Sequence, residues 1–321
     1  MQIKDCELSP ESDRYVLILL AREEQTAFWL PVMGLLERYG LFFLSRRSLI
    51  ASDKGNTDLS TVSELQAWEL LFCGCPSNLL LLHQDLIRYS QQYGIDLSLQ
   101  TEVSYRTPKK LACFDMDSTL IKTEVMDELA ECAGVGAYVR QITERAMNGE
   151  FDFKESFRQR LRLLQGLDEH VLQEIADRLP LMDGLETLLQ GLKRHGCKVA
   201  ILSGGFTYFA LRLKEMFHLD YVYANQLEIR DGRLTGKHLG DIVDSSRKVA
   251  LLKELSQKEQ ITLNETLAVG DGANDLAMLQ TAGLGIAYHA KKKVRDHIPQ
   301  SINITGLDGI LYFLGYSPAE L

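Results

Sequence analysis

From Lys110 onward, short apolar runs alternate with stretches of helical periodicity, and that alternation leaves few architectures open. Leu111–Phe114, Lys198–Leu202, Tyr221–Ala224, Thr266–Val269, Gly285–Ala287 and Ile302–Ile304 read as strands. Strands separated by helices build a parallel, doubly wound α/β sheet. The gap between the first two runs is far too long for one crossover helix. Glu124–Leu179 fills it with apolar residues at helical spacing, among them Phe153, Phe157, Leu161 and Leu164. The expected form is a Rossmann-like sheet with a helical cap, at about 124–180, inserted after the first strand. Glu228–Lys237 predicts a small hairpin turning at Asp231-Gly232.

Residues up to about Val103 follow another order. Tyr15–Leu20 is strand-like, Thr26–Tyr39 has helical spacing, and Leu41–Ile50 and Leu65–Cys73 read as strands joined by the polar loop Ala51–Thr61. Ser77–Tyr93 is a second amphipathic helix, Ile95–Val103 alternates like a last strand, and Tyr105–Lys110 reads as a linker. The order βαββαβ predicts a ferredoxin-like α+β domain over 1–103, ahead of a second domain over 104–321. A chain of 321 residues is long enough for both cores.

A net charge of −9 argues against a nucleic-acid or anionic-membrane partner, since both favour a basic surface. The one basic run, Lys291-Lys292-Lys293, reads as a solvated loop. The six cysteines are scattered without metal-ligand spacing, and Cys113 and Cys197, inside strand runs, read as small core residues. No apolar run approaches membrane-spanning length and the start has no signal-peptide layout, so a reducing, cytoplasmic setting is expected.

The chemistry sits just past the candidate strands, where open parallel sheets bind ligands. After Leu111–Phe114 comes Asp115-Met116-Asp117-Ser118-Thr119, whose two carboxylates point the same way if the segment is extended. Such a pair repels itself and needs a cation or a shared proton. A polar turn would also use this string. After Val199–Leu202 comes Ser203-Gly204-Gly205, a hydroxyl and two residues whose backbone can approach an anion closely. After Leu267–Val269 comes Gly270-Asp271-Gly272-Ala273-Asn274-Asp275, a compact acidic loop suited to a hard cation, or to capping the helix that starts near Leu276. Lys248 lies between these last two, on a helix predicted over Ser245–Lys258.

Asp115/Asp117, Ser203, Lys248 and Asp271 with Asp275, in this order, resemble the four motifs of the haloacid dehalogenase superfamily, from about Lys110 to the end of the chain. The resemblance implies that Asp115 attacks phosphorus to form an aspartyl phosphate, and that Asp117 serves as general acid and then base. It implies Mg2+ held by Asp115, Asp271 and the Asp117 backbone carbonyl, with Asp275 and Asn274 in support. Ser203, Gly204 and Lys248 would bind the phosphoryl oxygens.

Within the superfamily, Asp115–Leu120 with Glu124, Phe153–Leu161, Ser203–Phe206 and Gly270–Asp275 are similar to the phosphoserine phosphatase family. That resemblance implies that Glu124 meets a substrate ammonium and Arg160 its carboxylate, a pairing that suits the planar guanidinium. Phe153 and Met147 would close over the ligand. Arg160 is flanked by Arg158 and Arg162, and solvation is its other reading; the other reading of Glu124, whose spacing from Asp115 is short and fixed, is a helix-start charge on the cap. Met116 stands where the family more often has phenylalanine, and Lys292 where relatives tend to carry proline. The expected substrate is a small molecule, phosphoserine. Phosphoryl transfer to another alcohol, another small ester, or a weakly active amino-acid sensor are the alternatives. The N-terminal order is similar to ACT-type regulatory modules, but packing on the catalytic unit or a homodimer contact explains it equally well.

Overall fold

The computed structural model describes residues 13–22, 29–50, 65–147 and 149–316; the side chain of Met147 also lies outside the described part. The first six elements are β1 (Arg14–Ala21), α1 (Trp29–Arg38), β2 (Leu41–Ser48), β3 (Gln66–Gly74), α2 (Leu79–Tyr93) and β4 (Asp96–Thr101). They have the expected βαββαβ order, and their strands lie antiparallel in the spatial order β2-β3-β1-β4. The residues expected at the start of the first helix, 26–28, and the loop Ala51–Thr61 lie outside the described residues, as does Cys6.

One expectation is corrected here. Glu102–Arg106, predicted as strand end and linker, is a short helix, α3. The Thr101 side chain accepts a hydrogen bond from the Ser104 N–H and so caps the turn, a signal that strand alternation hides.

The unbroken apolar run of β1 has a structural reason. Tyr15, Leu17 and Leu19 pack on α1 and α2, while Val16, Ile18 and Leu20 face the second half of the chain. A strand covered on both faces carries no polar alternation.

The second half begins with β5 (Leu111–Phe114) and the cap helices α4 (Val125–Cys132), α5 (Gly136–Met147), α6 (Phe153–Arg162) and α7 (His170–Asp177). Then follow α8 (Leu185–Arg194), β6 (Lys198–Phe206), α9 (Thr207–Phe217), and the hairpin of β7 (Tyr221–Arg230) and β8 (Arg233–Leu239). The chain closes with α10 (Ser245–Lys258), β9 (Thr266–Gly270), α11 (Leu276–Thr281), β10 (Leu284–Tyr288), α12 (Lys292–Arg295), β11 (Ser301–Ile302) and α13 (Gly309–Phe313). The strand order β11-β10-β9-β5-β6-β7 is parallel throughout, and the antiparallel hairpin strand β8 forms the edge.

Several strand ends differ from the sequence reading: the run expected over Ile302–Ile304 pairs only as Ser301–Ile302, and two earlier strands run on. Strand β6 runs through Ser203-Gly204-Gly205 to Phe206, with its pairing to β7 interrupted between Leu202 and Phe206. β7 likewise runs on into the hairpin, because its antiparallel partner extends the pairing. The two strand systems meet edge to edge: Ser301 of β11 pairs with Leu97 of β4, giving one sheet of 11 strands. Beside that seam the buried Asp96 carboxylate accepts the N–H groups of Asn303 (2.6 Å), Ile304 (3.2 Å) and Thr305 (3.1 Å) and the Thr305 hydroxyl (3.0 Å). Cys113 and Cys197 are buried and unoxidised, as expected of small core residues. No helix among the described residues is long and apolar enough to cross a membrane.

Candidate active site

Parallel order reverses direction between β5 and β9, and a cavity opens at their carboxyl ends, at the crossover point where doubly wound sheets bind ligands. Asp115 follows β5 and Asp271 follows β9. The cavity holds about 110 Å³ and is lined by Asp115, Asp117, Glu124, Arg160, Phe153, Gly204, Asp271 and Asn274 of the predicted set. It is lined as well by Gly205, Phe206 and Phe157 from the motif segments, and by Met126 and Lys291, to which the sequence had given no site role.

Beneath its floor Lys248 is fully buried, with Nζ 2.9 Å from Asp115 Oδ1 and 2.6 Å from Asp275 Oδ1. Its helix places it there. The Asp244 carboxylate accepts the Arg247 N–H at 2.8 Å, capping α10 and fixing the first turn that carries Lys248. Ser203 is buried too and does not line the cavity; its Oγ accepts the Gly205 N–H at 2.9 Å. Asn225, unremarked in the sequence, ties two of these segments together. Its amide donates to the Gly204 carbonyl at 2.8 Å and accepts the Val243 N–H at 2.9 Å.

The glycines after Ser203 answer a packing demand. A Cβ on Gly205 would stand 2.5 Å from Asp117 Oδ2 and 2.8 Å from Met116 Cε. A Cβ on Gly204 would stand 3.1 Å from Phe153 Cζ, so the cap's aromatic ring lies directly on backbone. Phe153 in turn stacks on Phe157, with ring centroids 6.2 Å apart, and Phe157 meets Phe206 of the sheet at 6.0 Å.

Two cap-side residues face the carboxylate pair. Of the three arginines on α6, Arg158 and Arg162 are exposed and Arg160 alone is half-buried in the cavity wall. Its one hydrogen bond among the described residues is a long one, Nε to the Ser156 carbonyl at 3.4 Å. Burial lowers its pKa, while Asp127, Glu124 and Asp117 oppose that shift. Glu124 stands at the N-cap position of α4 without making a cap bond; its Oε1 instead accepts the Ser118 hydroxyl at 2.9 Å. Met147 ends α5, and its side chain lies outside the described residues.

Five carboxylates (Asp115, Asp117, Glu124, Asp271 and Asp275) thus share a small volume with three cationic groups, Arg160, Lys248 and Lys291. Burial pushes Asp271 up to about 6, and the Asp115 charge adds to that. Asp117 and Asp275 are raised as well, first by burial and then by neighbouring carboxylates. Burial alone would lower Lys248, but Asp115 and Asp275 outweigh it and hold the ammonium protonated. Counted as fully ionised, these groups carry two surplus negative charges, and fewer wherever Asp117 or Asp275 keeps a proton; either way the site favours a cation.

The donor set fits one. Asp115, Asp271 and Asp275 each bring a carboxylate oxygen to within 4.8 Å of the others. The Asp275 oxygens are taken by Lys248 at 2.6 Å and by the Gly272 N–H at 3.0 Å. Among the described residues the Asp271 carboxylate has only long contacts, 3.4 Å from the Thr119 hydroxyl and 3.6 Å from Lys291 Nζ. Asn274 Nδ2 lies 3.3 Å from Asp115 Oδ2 and orients that carboxylate.

Residues 109–283 match the model of the haloacid dehalogenase-like hydrolases. The chain belongs to that family. It is 47% identical over 229 residues to the phosphoserine phosphatase of Archaeoglobus fulgidus, which covers 70% of this chain and 67% of that one. Among solved structures it resembles a haloacid dehalogenase family hydrolase of Salmonella enterica serovar Typhi, with a TM-score of 0.79 and 33% identity over 94% of this chain and 98% of that one. It also resembles a probable phosphoserine phosphatase of Vibrio cholerae, with a TM-score of 0.70 and 32% identity over 95% and 88% of the two chains.

Proposed function

We propose that this phosphatase hydrolyses O-phospho-L-serine to L-serine and phosphate, the closing step of serine synthesis. The observation that carries the substrate is the pair Arg160 and Glu124. A half-buried guanidinium with a single long hydrogen bond among the described residues and a carboxylate line one small cavity, above the Asp115/Asp117 pair. A zwitterionic amino acid needs one group of each sign, and its phosphate then points down toward the aspartates.

Asp115 serves as nucleophile. Its Oδ1 is held by Lys248 and by the Met116 N–H at 2.7 Å, leaving Oδ2, near the Asn274 amide, to attack phosphorus. Asp117, whose pKa is raised by burial, is suited to carry the proton that the serine oxygen needs on leaving. It then takes a proton from the water that hydrolyses the aspartyl phosphate, so acid and base roles fall to one residue in turn. Lys248 and the Gly204-Gly205 backbone surround the charge that develops on the phosphoryl oxygens. Asp115, Asp271 and the Asp117 carbonyl, with Asp275 bracing the loop, would hold Mg2+, which would supply electrostatic stabilisation of that charge. Phe153, on Gly204, shuts out bulk water during attack.

Residues 1–103 form the ferredoxin-like module of this reading and 104–321 the catalytic unit, with a cytoplasmic setting and a homodimer as its simplest assembly. The test is phosphate release from L-phosphoserine, D-phosphoserine, phosphoethanolamine and a sugar phosphate, with and without Mg2+, and Asp115→Asn as blank. Mg2+-dependent preference for phosphoserine over phosphoethanolamine, abolished in Arg160→Ala, supports the reading. Equal turnover of all four removes the substrate, and no release above the blank removes the reaction.

A further inference from the structure

Lys291 is the one cation of the cavity that no motif announced, and its setting differs from that of the other two. Its backbone N–H donates to the Asp271 carbonyl at 2.9 Å, which fixes its Cα beside the acidic loop. Its Nζ lies 3.6 Å from Asp271 Oδ2 on a side chain that remains 61% exposed. Lys292, next along, is engaged elsewhere, with Nζ 2.6 Å from Asp296. Lys248 is locked between two carboxylates with no exposure, whereas Lys291 leans on one carboxylate through a long contact and a flexible stem. Asp271 itself is buried, but the contact is long and the ammonium end faces solvent, so the lysine can leave the carboxylate without being desolvated.

We infer that Lys291 is a substrate-positioning residue: its ammonium rests on Asp271 while that carboxylate is free, and turns to the phosphoryl group once a divalent cation claims Asp271. The inference rests on the proposed phosphatase reading for the identity of the anion. Two effects of opposite sign follow. Removing the ammonium relieves Asp271 of a competing cation and strengthens divalent binding, while it deprives a bound phosphate of a counter-charge and weakens anion binding. A merely structural lysine gives neither effect, because the bond that positions this loop comes from the Lys291 backbone and survives substitution.

The experiment is calorimetry on full-length wild type, Lys291→Met and Lys291→Arg, titrating MgCl2 alone and then inorganic phosphate at saturating Mg2+. The expected Lys291→Met result is Mg2+ binding tightened by at least about 2-fold, since surface ion pairs give the lower limit for a pair whose carboxylate is buried. Phosphate binding weakens by about 10-fold, the lower end for a hydrogen bond to a charged group. Lys291→Arg keeps phosphate binding within about 2-fold of wild type, since the charge is retained. Shifts of both constants in one direction, no shift in either, or no binding of either probe by wild type overturns the inference. If the opposite shifts appear in an enzyme that does not release phosphate from phosphoserine, the substrate reading fails and the role of Lys291 stands.

Discussion

Replacing Lys248 by Met keeps the length of the side chain and removes the one charge that Asp115 and Asp275 share in the floor of the cavity. The ammonium has no exposure and lies 2.9 Å and 2.6 Å from the two carboxylate oxygens. At an effective dielectric near 20, each contact is worth about 6 kcal/mol of Coulomb attraction, most of it offset by the desolvation of the three ions. The measurable quantity is the cost of leaving the carboxylates buried without their partner, about 3–5 kcal/mol. In chelator, where no divalent cation can substitute, that corresponds to a fall in melting temperature of about 4–8 °C for a chain of 321 residues. The assay is urea unfolding at neutral pH in EDTA, for wild type, Lys248→Met, Asp275→Asn and the double variant. Removing one of the stranded charges should return at least a third of the loss, so the double variant is more stable than Lys248→Met. A loss below about 1 kcal/mol in Lys248→Met, or strictly additive single losses, would refute the picture of one buried ammonium neutralising a repelling pair.

Four further outcomes are expected. Gly205→Ala puts a Cβ 2.5 Å from Asp117 Oδ2 and displaces the carboxylate proposed as acid and base; phosphate release should drop about 100-fold, for a stability loss of about 1–3 kcal/mol by thermal unfolding. An active Gly205→Ala enzyme would show that Asp117 is not held at that wall. Asp96→Ala strands the N–H groups of Asn303, Ile304 and Thr305 and should cost about 3 kcal/mol in urea unfolding, with kcat unchanged because Asp96 does not line the cavity. Lys154 of the cap meets Asp244 at 3.1 Å, and the single changes Lys154→Met and Asp244→Asn, the second of which preserves the α10 cap, should couple by about 0.2–1 kcal/mol in KM; additivity would mean that this contact does not hold the cap down. The Glu265 carboxylate is lowered to about 2, first by the Lys110 ammonium and then by the Thr262 N–H and hydroxyl. Its contribution is complete above its ordinary pKa and lost as pH falls toward 2, so wild type and Glu265→Gln should differ most at neutral pH and converge in acid; a gap that persists at pH 2 contradicts this.

Much of this protein was legible in one dimension because the signals are local. Leu111–Phe114 and Ser245–Lys258 have the bounds read from the sequence. An apolar run between polar neighbours, or a capped stretch at helical spacing, specifies its own hydrogen bonding wherever it is later packed. The same holds for Asp115, Asp117 and Asp271, since a motif placed after a parallel strand has only the carboxyl edge of the sheet to occupy. Glu102–Arg106 escaped because one side-chain cap outweighed a strand pattern that seemed to continue through it.

Other features depend on residues that meet only after folding. Whether Arg158, Arg160 or Arg162 enters the cavity is set by the rotation of α6 against the sheet, which the packing of Phe157 and Leu161 decides. Lys248 is an ordinary helical lysine until Asp275, 27 positions away, comes to 2.6 Å from it. Lys291 looked like part of a solvated basic run because nothing in its neighbours encodes the turn that hangs it on the Asp271 carbonyl. The joining of both strand systems through Leu97 and Ser301 is equally silent in the sequence. Backbone preferences act over a few residues and are written where they act; burial, charge pairing and sheet edges belong to contacts between distant segments, and only the tertiary structure brings those together.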